Sequence, residues 1–290
     1  MRLLDAVVTG LAQGSMIALV ALGYTMVYGV LRLINFAHSE VFMMAAYAGL
    51  FAMTALGGSV SPIVASALGT VLAMVAASML GLLIERLAYR PLRGHGLGAV
   101  VRVTPLVTAI GCSVFLQNLA QLLFTARFRP YPRLFASTRP LIFATALVVM
   151  VALELVVKRT WFGKALRALS TNEEAARLMG IRSGRVIAAT FALGSALAAV
   201  GAVLYCFDQS QVYPTMGTVI GTRAFVAAVL GGIGSLPGAM LGGLLLGVLG
   251  ELVKLTDYSG GVDVLVFLVL IGVLLVRPTG LLGRPSATKV

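Results

Sequence analysis

At 290 residues, with 59% of them hydrophobic, 11% charged and a mean hydropathy of +1.01, the chain is far more apolar than an average soluble domain, in which about a quarter of residues carry charge. A water-soluble fold is excluded. The formal net charge of +12, from 22 Lys and Arg against 10 Asp and Glu, does not point to nucleic acid, because the basic residues lie mostly in loops between apolar runs, where the positive-inside rule accounts for them.

A helix crosses a bilayer with about 20 mostly apolar residues. Uncharged runs at 6–31, 41–84, 103–126 and 186–207 are each long enough for one span or two. Lipid offers no partner to backbone N–H and C=O groups and the alternation of a barrel strand is absent, so these runs are read as helices. The first run is too long for the apolar core of a secretory signal, about 7–15 residues, and is read as a retained helix. Cys112 and Cys206, both inside apolar runs, are read as small buried hydrophobes with no disulfide or metal role.

The first polar island, Asn35-Phe36-Ala37-His38-Ser39-Glu40, lies between two apolar runs. Ser39 and Glu40 suit a helix N-terminus, where free N–H groups and the helix dipole favour oxygen and negative charge. The island is either a lining of a solute path or gate, formed by Asn35, Phe36, His38, Ser39 and Glu40, or a capped turn at the membrane interface. A break near Gly57-Gly58 divides the next run in two. The linker at 85–102 carries Arg86, Arg90, Arg93 and Arg102, and that at 158–185 carries Lys158, Arg159, Lys164, Arg167, Arg177, Arg182 and Arg185; both read as cytoplasmic. The segments 103–126 and 140–157 then form an out-and-back pair that places Arg127, Arg129, Arg133 and Arg139 outside, against the charge rule, with a shorter excursion as the alternative. Gln117, Asn118 and Gln121 fall within reach of one helical side and are either path lining or interhelical hydrogen bonders. Glu154 and Lys158 are placed for an i,i+4 ion pair. Tyr24, Tyr28 and Tyr213 read as interfacial aromatics.

Within the second cytoplasmic linker, Ser170-Thr171-Asn172-Glu173-Glu174 has a capping-box pattern opening a short helix that ends at Gly180. A folded, charged helix in such a loop is either a docking element or a solvated surface helix. Further on, the apolar segments 214–232 and 239–252 meet at a stretch including Gly231, Gly232 and Gly234 and ending at Pro237-Gly238, too rich in Gly and Pro for helix interior. It is either a packing turn or a broken helix near the midplane that borders the path. Arg277, Arg284 and Lys289 place the tail in the cytoplasm and parity puts the N-terminus outside, for a total of eight or nine helical segments in an all-α membrane fold. An echo of Gly14-Ser15 in Gly194-Ser195 suggests two related halves within one transmembrane unit at 1–290. No phosphate-binding G-x-x-x-x-G-K motif is present, and His38 and His95, far apart, form no catalytic cluster.

The Glu174-Ala175-Ala176 sequence followed by Gly180 resembles the EAA loop of ABC importer permeases. ALGYTMVYG at 21–29, INFAHSE at 34–40, ERLAYRPLR at 85–93, AFVAAVLGGIGSLPGA at 224–239 and RPTGLLGRP at 277–285 resemble the branched-chain amino acid permease family over nearly the whole chain. Ser39 stands where that family usually has Gly. The resemblance implies a non-enzymatic permease of the bacterial inner membrane, paired as a heterodimer with a second homologous permease, two ATP-binding subunits and a periplasmic solute-binding protein. ATP and Mg would then be bound by the partners and no cofactor by this chain, with Glu173, Glu174, Ala175, Ala176, Arg177 and Gly180 transmitting ATP-driven closure. An ion-coupled secondary transporter using His38, Glu40 and Glu154 is the competing class.

Overall fold

The computed structural model describes residues 2–57, 59–94, 100–132, 139–256 and 259–283; Gly58, His95, Arg133, Arg284, Pro285 and Lys289 lie outside them. Among the described residues eleven α-helices follow one another: α1 Arg2–Leu31, α2 His38–Leu56, α3 Pro62–Ile84, α4 Val100–Phe124, α5 Arg139–Arg159, α6 Trp161–Thr171, α7 Glu173–Leu178, α8 Ser183–Gln209, α9 Met216–Gly231, α10 Leu236–Lys254 and α11 Val262–Val276. Among the described residues, seven helices are long and apolar enough to cross a bilayer, and α9 and α11 are shorter apolar helices, so the apolar segments number nine, at the upper end of the expectation. The fold is that of an all-α membrane protein.

Small residues set how these helices approach one another. In lipid no hydrophobic force drives helices together, so backbones meet closely where side chains are small. On α1 and α10, a Cβ added at Gly247 would stand 2.2 Å from the Cα of Gly14, and one added at Gly14 would stand 2.8 Å from the carbonyl oxygen of Gly243. The contact runs antiparallel. The other side of α1 lies antiparallel against α8, with Gly23 facing Gly194 and Gly201 facing Met16. Helices α1 and α8 therefore form the buried centre, whereas α3, α4 and α5 turn apolar side chains such as Leu72, Val107 and Val148 outward.

A repeated plan emerges from this packing. Long α1 ends, a turn at 32–37 reverses the chain, and α2 starts beside the last third of α1, its His38 ring against Gly23. Long α8 ends, a turn at 210–215 reverses the chain, and α9 starts beside the first turn of α2, with Gly217 against Ser39. Because α1 and α8 are antiparallel, α1–α3 and α8–α10 follow the same order in opposite directions, and the two sequence echoes fall on equivalent helices.

Two two-residue strands, Arg129–Pro130 and Gln211–Val212, pair antiparallel. They join the far ends of α4 and α8, so the loop after α4 lies at the opposite end of the molecule from the 160–182 segment that precedes α8. The out-and-back reading of α4 and α5 therefore holds over the shorter excursion. Arg129 in that loop is held locally: its guanidinium donates to the Phe124 carbonyl at 3.0 Å and lies 5.8 Å over the Phe51 ring.

Gly247→Leu should push α10 off α1, destabilising the detergent-solubilised protein by about 1–3 kcal/mol or more through overpacking. Gly272→Ala, whose new Cβ would enter open space, should leave the thermal unfolding midpoint unchanged; equal midpoints for the two variants would contradict the close α1–α10 contact.

Candidate functional site

The first polar island forms a buried turn rather than an interfacial one. The chain leaves α1 at Arg32 with a left-handed φ of 52°, and the Arg32 guanidinium donates to the Ser170 carbonyl at 3.3 Å. The backbone then folds back through bonds from His38 N–H to Asn35 and from Glu40 N–H to Ala37, both 3.1 Å. His38, Ser39 and Glu40 open α2 at 2%, 7% and 1% exposure. Ser39 does not cap the helix: its hydroxyl donates to the Phe36 carbonyl at 2.7 Å, and no side chain caps α2. The capped-interface reading is thereby corrected, because with the turn buried the hydroxyl is satisfied within its own turn.

Other members of the island face different neighbours. The His38 ring meets Tyr24 edge-on at 4.9 Å between centroids, which places Tyr24 inside the bundle and not at the interface; only a glycine at 23 leaves the ring room, since a Cβ there would be 2.3 Å from Nε2. The Asn35 amide oxygen accepts from the Tyr89 hydroxyl at 3.0 Å, and Phe36 packs on Phe225 of α9 at 6.0 Å.

Glu40 faces α4 and α9. Its Oε1 lies 3.4 Å from the Ser113 hydroxyl and 3.5 Å from that of Ser39, both long contacts; Thr218 adjoins the same carboxylate, and among the described residues none makes a hydrogen bond of ordinary geometry to Oε2. A Cβ at Gly217 would stand 2.9 Å from that Oε2 and 2.5 Å from the Ser39 carbonyl oxygen, and a Cβ at Gly221 would stand 2.2 Å from the Ser39 Cβ. The start of α2 thus packs directly on the glycine backbone of α9, with only the Ser39 and Glu40 side chains in the contact. Both helix N-termini carry a partial positive charge, favourable to a carboxylate. Gln117 joins the group by donating to the Thr218 hydroxyl at 3.3 Å.

Not every residue read from sequence comes to this place. Asn118 is exposed and donates to the Val114 carbonyl of its own helix at 2.8 Å, so it is separated from the group around Gln117. Gly231, Gly232 and Gly234 belong to the α9–α10 turn, where Gly232 and Gly234 have φ of 102° and 95°. That turn packs on the tail, whose Leu281 and Leu282 N–H groups both donate at 2.9 Å, to Leu230 and Gly231. Its Ile233 lines a small cavity with Tyr24, Tyr28, Ile34 and Phe225, whereas the helix breaks next to Glu40 fall at 32–37 and 210–215. Sequence reading missed Ser113, Gly217, Thr218 and Gly221. The Gly217-to-Gly221 spacing is a small-xxx-small signal that could have marked the contact; the two hydroxyls had none.

The second element is the loop between α5 and α8. Asn172, not Ser170 or Thr171, caps α7, its Oδ1 accepting from Ala175 N–H at 3.0 Å, while both hydroxyls donate to the Arg167 carbonyl as part of α6. The exit follows a Schellman pattern: Ile181 N–H bonds the Ala176 carbonyl at 3.0 Å, Gly180 N–H bonds that of Arg177 at 2.9 Å, and Gly180 takes φ 83°. Arg177 pairs with Glu173 at 2.6 Å and donates to the Ser183 hydroxyl at 3.0 Å, which holds α7 to the start of α8. Ala176 is buried beneath; Glu174 and Ala175 are exposed. The apolar side chains of Leu178 and Met179, 89% and 84% exposed, were not singled out from sequence. Glu154 makes its expected pair with Lys158 at 2.6 Å.

The chain matches the family described as "Branched-chain amino acid transport system / permease component" over residues 6–276. It is 43% identical to the high-affinity branched-chain amino acid transport system permease protein BraD of Pseudomonas aeruginosa, over 99% of this chain and 98% of that one. Identity to the corresponding LivH protein of Escherichia coli K12 is 41%, over 99% and 97%, and to the probable branched-chain amino acid transport permease protein LivH of Methanocaldococcus jannaschii 26%, over 93% and 89%. No solved structure matches. With the family match covering nearly all of its transmembrane helices, the chain belongs to the branched-chain amino acid transport permease family and is a non-catalytic membrane component.

Proposed function

We propose that this chain is one permease subunit of an ATP-driven importer in the bacterial inner membrane, carrying branched-chain amino acids or related small polar solutes by alternating access. Its partners are a second homologous permease in a heterodimer, two ATP-binding subunits that hold ATP and Mg, and a periplasmic solute-binding protein. The observation that carries this reading is the stiff, exposed loop at 172–180. A helix of six residues is marginal by itself, yet α7 is capped by Asn172, closed by a Schellman turn and tied to α8 through Arg177. A loop built this way presents a fixed surface, and two nearly bare apolar side chains at its tip supply area for a partner to bury.

The ATPase docks on Glu174, Ala175, Leu178 and Met179, and closure of the ATPase dimer moves α6 and α7 as a unit. Arg32 bonds the end of α6, so that motion reaches the turn opening α2, beside the Glu40 group. ATP drives the change because it binds one state more tightly than the other. The ion-coupled alternative would need Glu154 to act with His38 and Glu40, and Glu154 is held in its local pair with Lys158.

In proteoliposomes holding the complete complex, ATP-dependent uptake of radiolabelled leucine should fall at least about tenfold in the Leu178→Ser, Met179→Ser double variant, since each side chain loses about 1.5–3 kcal/mol of burial against the partner. Glu174→Ala should weaken coupling in the same assay. Uptake by this chain alone, driven by an ion gradient and indifferent to ATP, would overturn the reading.

Asn172→Ala should cost α7 about 1 kcal/mol through its lost cap. Amide exchange across 173–178 should then speed up by about fivefold, measured by mass spectrometry; unchanged exchange would mean that tertiary contacts alone hold the helix.

A further inference from the structure

We propose that Glu40 receives the protonated amino group of the transported solute, at a station entered from the α4–α9 face of the chain. The proposal rests on the permease reading and narrows its substrate class to solutes with a free ammonium group, disfavouring neutral amides, ureas and sugars.

An acidic residue at span depth is costly and persists where it is paired or borders a cavity. Glu40 is 1% exposed, and among the described residues no lysine or arginine forms an ion pair with it. His38, two positions earlier, lies with its ring against Tyr24 and Gly23. Ser39 and Ser113 occupy Oε1 at long range, the Thr218 hydroxyl adjoins the carboxylate, and among the described residues none makes a hydrogen bond of ordinary geometry to Oε2. What completes this carboxylate is a compact cation with several N–H donors. A primary ammonium fits that description, with one N–H for Oε2 and others for the hydroxyl oxygens of Ser113 and Thr218.

A polar seam leads to it from the surface. Thr218 is exposed and Ser113 and Gln117 are half-exposed, midway along α4 and at the start of α9. Hydroxyls and amides at this level do not belong against lipid, so this face fronts a path or a partner chain. The Gln117–Thr218 bond closes the seam over Glu40, and its opening is the step that admits the solute. Gly217 and Gly221 keep α9 close enough for the seam to be narrow, so the ammonium enters and a bulky side chain stays outside.

The test uses the assembled complex in proteoliposomes. Glu40→Gln preserves volume and removes the charge; it should lower leucine uptake about tenfold or more, the worth of one charge-assisted hydrogen bond, while Glu40→Asp retains a larger share. In a Cys112→Ser, Cys206→Ala background, Thr218→Cys should react about fivefold faster with a trimethylammonium-bearing thiosulfonate than with a sulfonate-bearing one, with leucine protecting, and adding Glu40→Gln should erase the difference. Leucine uptake by Glu40→Gln within about twofold of wild type, or equal labelling rates for the two reagents, would overturn the proposal. If Glu40→Gln fails to assemble, the labelling ratio in the chain retaining Glu40 decides. A wild-type complex without ATP-driven uptake would instead count against the importer reading, and the labelling ratio would still report on Glu40.

Discussion

Two helices that begin inside the bundle meet by their first turns, and the rest of the molecule is arranged so that they can. The α2–α9 contact leaves no room for a Cβ at 217 or 221, and each first turn exposes N–H groups that the helix itself cannot satisfy. Such ends are tolerated at membrane depth only against protein or a polar path. The long helices α1 and α8 supply the protein side: their antiparallel glycine contact sets the level at which His38 is seated and therefore the level at which α2 starts. The carboxylate of Glu40, the hydroxyls of Ser113 and Thr218 and the amide of Gln117 supply the polar side.

The same geometry links the site to the loop at 172–180. The turn at 32–37 is short, so its ends move together. One end bonds the C-terminus of α6 through Arg32; the other is the first turn of α2. In the proposed importer, movement of the loop would be delivered over a few residues to the place where α2 and α9 touch, and the inverted order of α1–α3 and α8–α10 makes that place the meeting point of two equivalent breaks. Transporters built from inverted repeats put discontinuous helices at the substrate level for the same physical reason: irregular backbone offers dipole ends and unpaired groups that an ion or zwitterion can use.

Peripheral helices serve a different purpose. Apolar side chains on α3, α4 and α5 are largely exposed, which is the ordinary surface of a lipid-facing helix, while α4 also carries Ser113 and Gln117 on its inner side. That helix is therefore two-faced, and its rotation decides which of its polar residues matter. Gln117 and Asn118 are neighbours in sequence but lie about 100° apart around the helix, so one reaches Thr218 and the other bonds its own backbone.

Membrane character, the positions of the apolar helices, the glycine-rich turn between α9 and α10, the Glu154–Lys158 pair and the existence of a short helix ending at Gly180 were determined by the sequence, because each rests on the length of an apolar run or on chemistry within a few residues. The island from Asn35 to Glu40 was visible as polar residues in an apolar setting, without its depth. Tertiary structure alone decided that depth, since it depends on where α1 meets α8. It also decided which hydroxyls stand by Glu40, since Ser113 and Thr218 come from helices more than seventy residues away. Asn172 took the cap over Ser170 and Thr171 because α6 extends through Thr171 and engages both hydroxyls. Local sequence states what a segment can become; the azimuth and level at which helices pack determine which of its side chains meet.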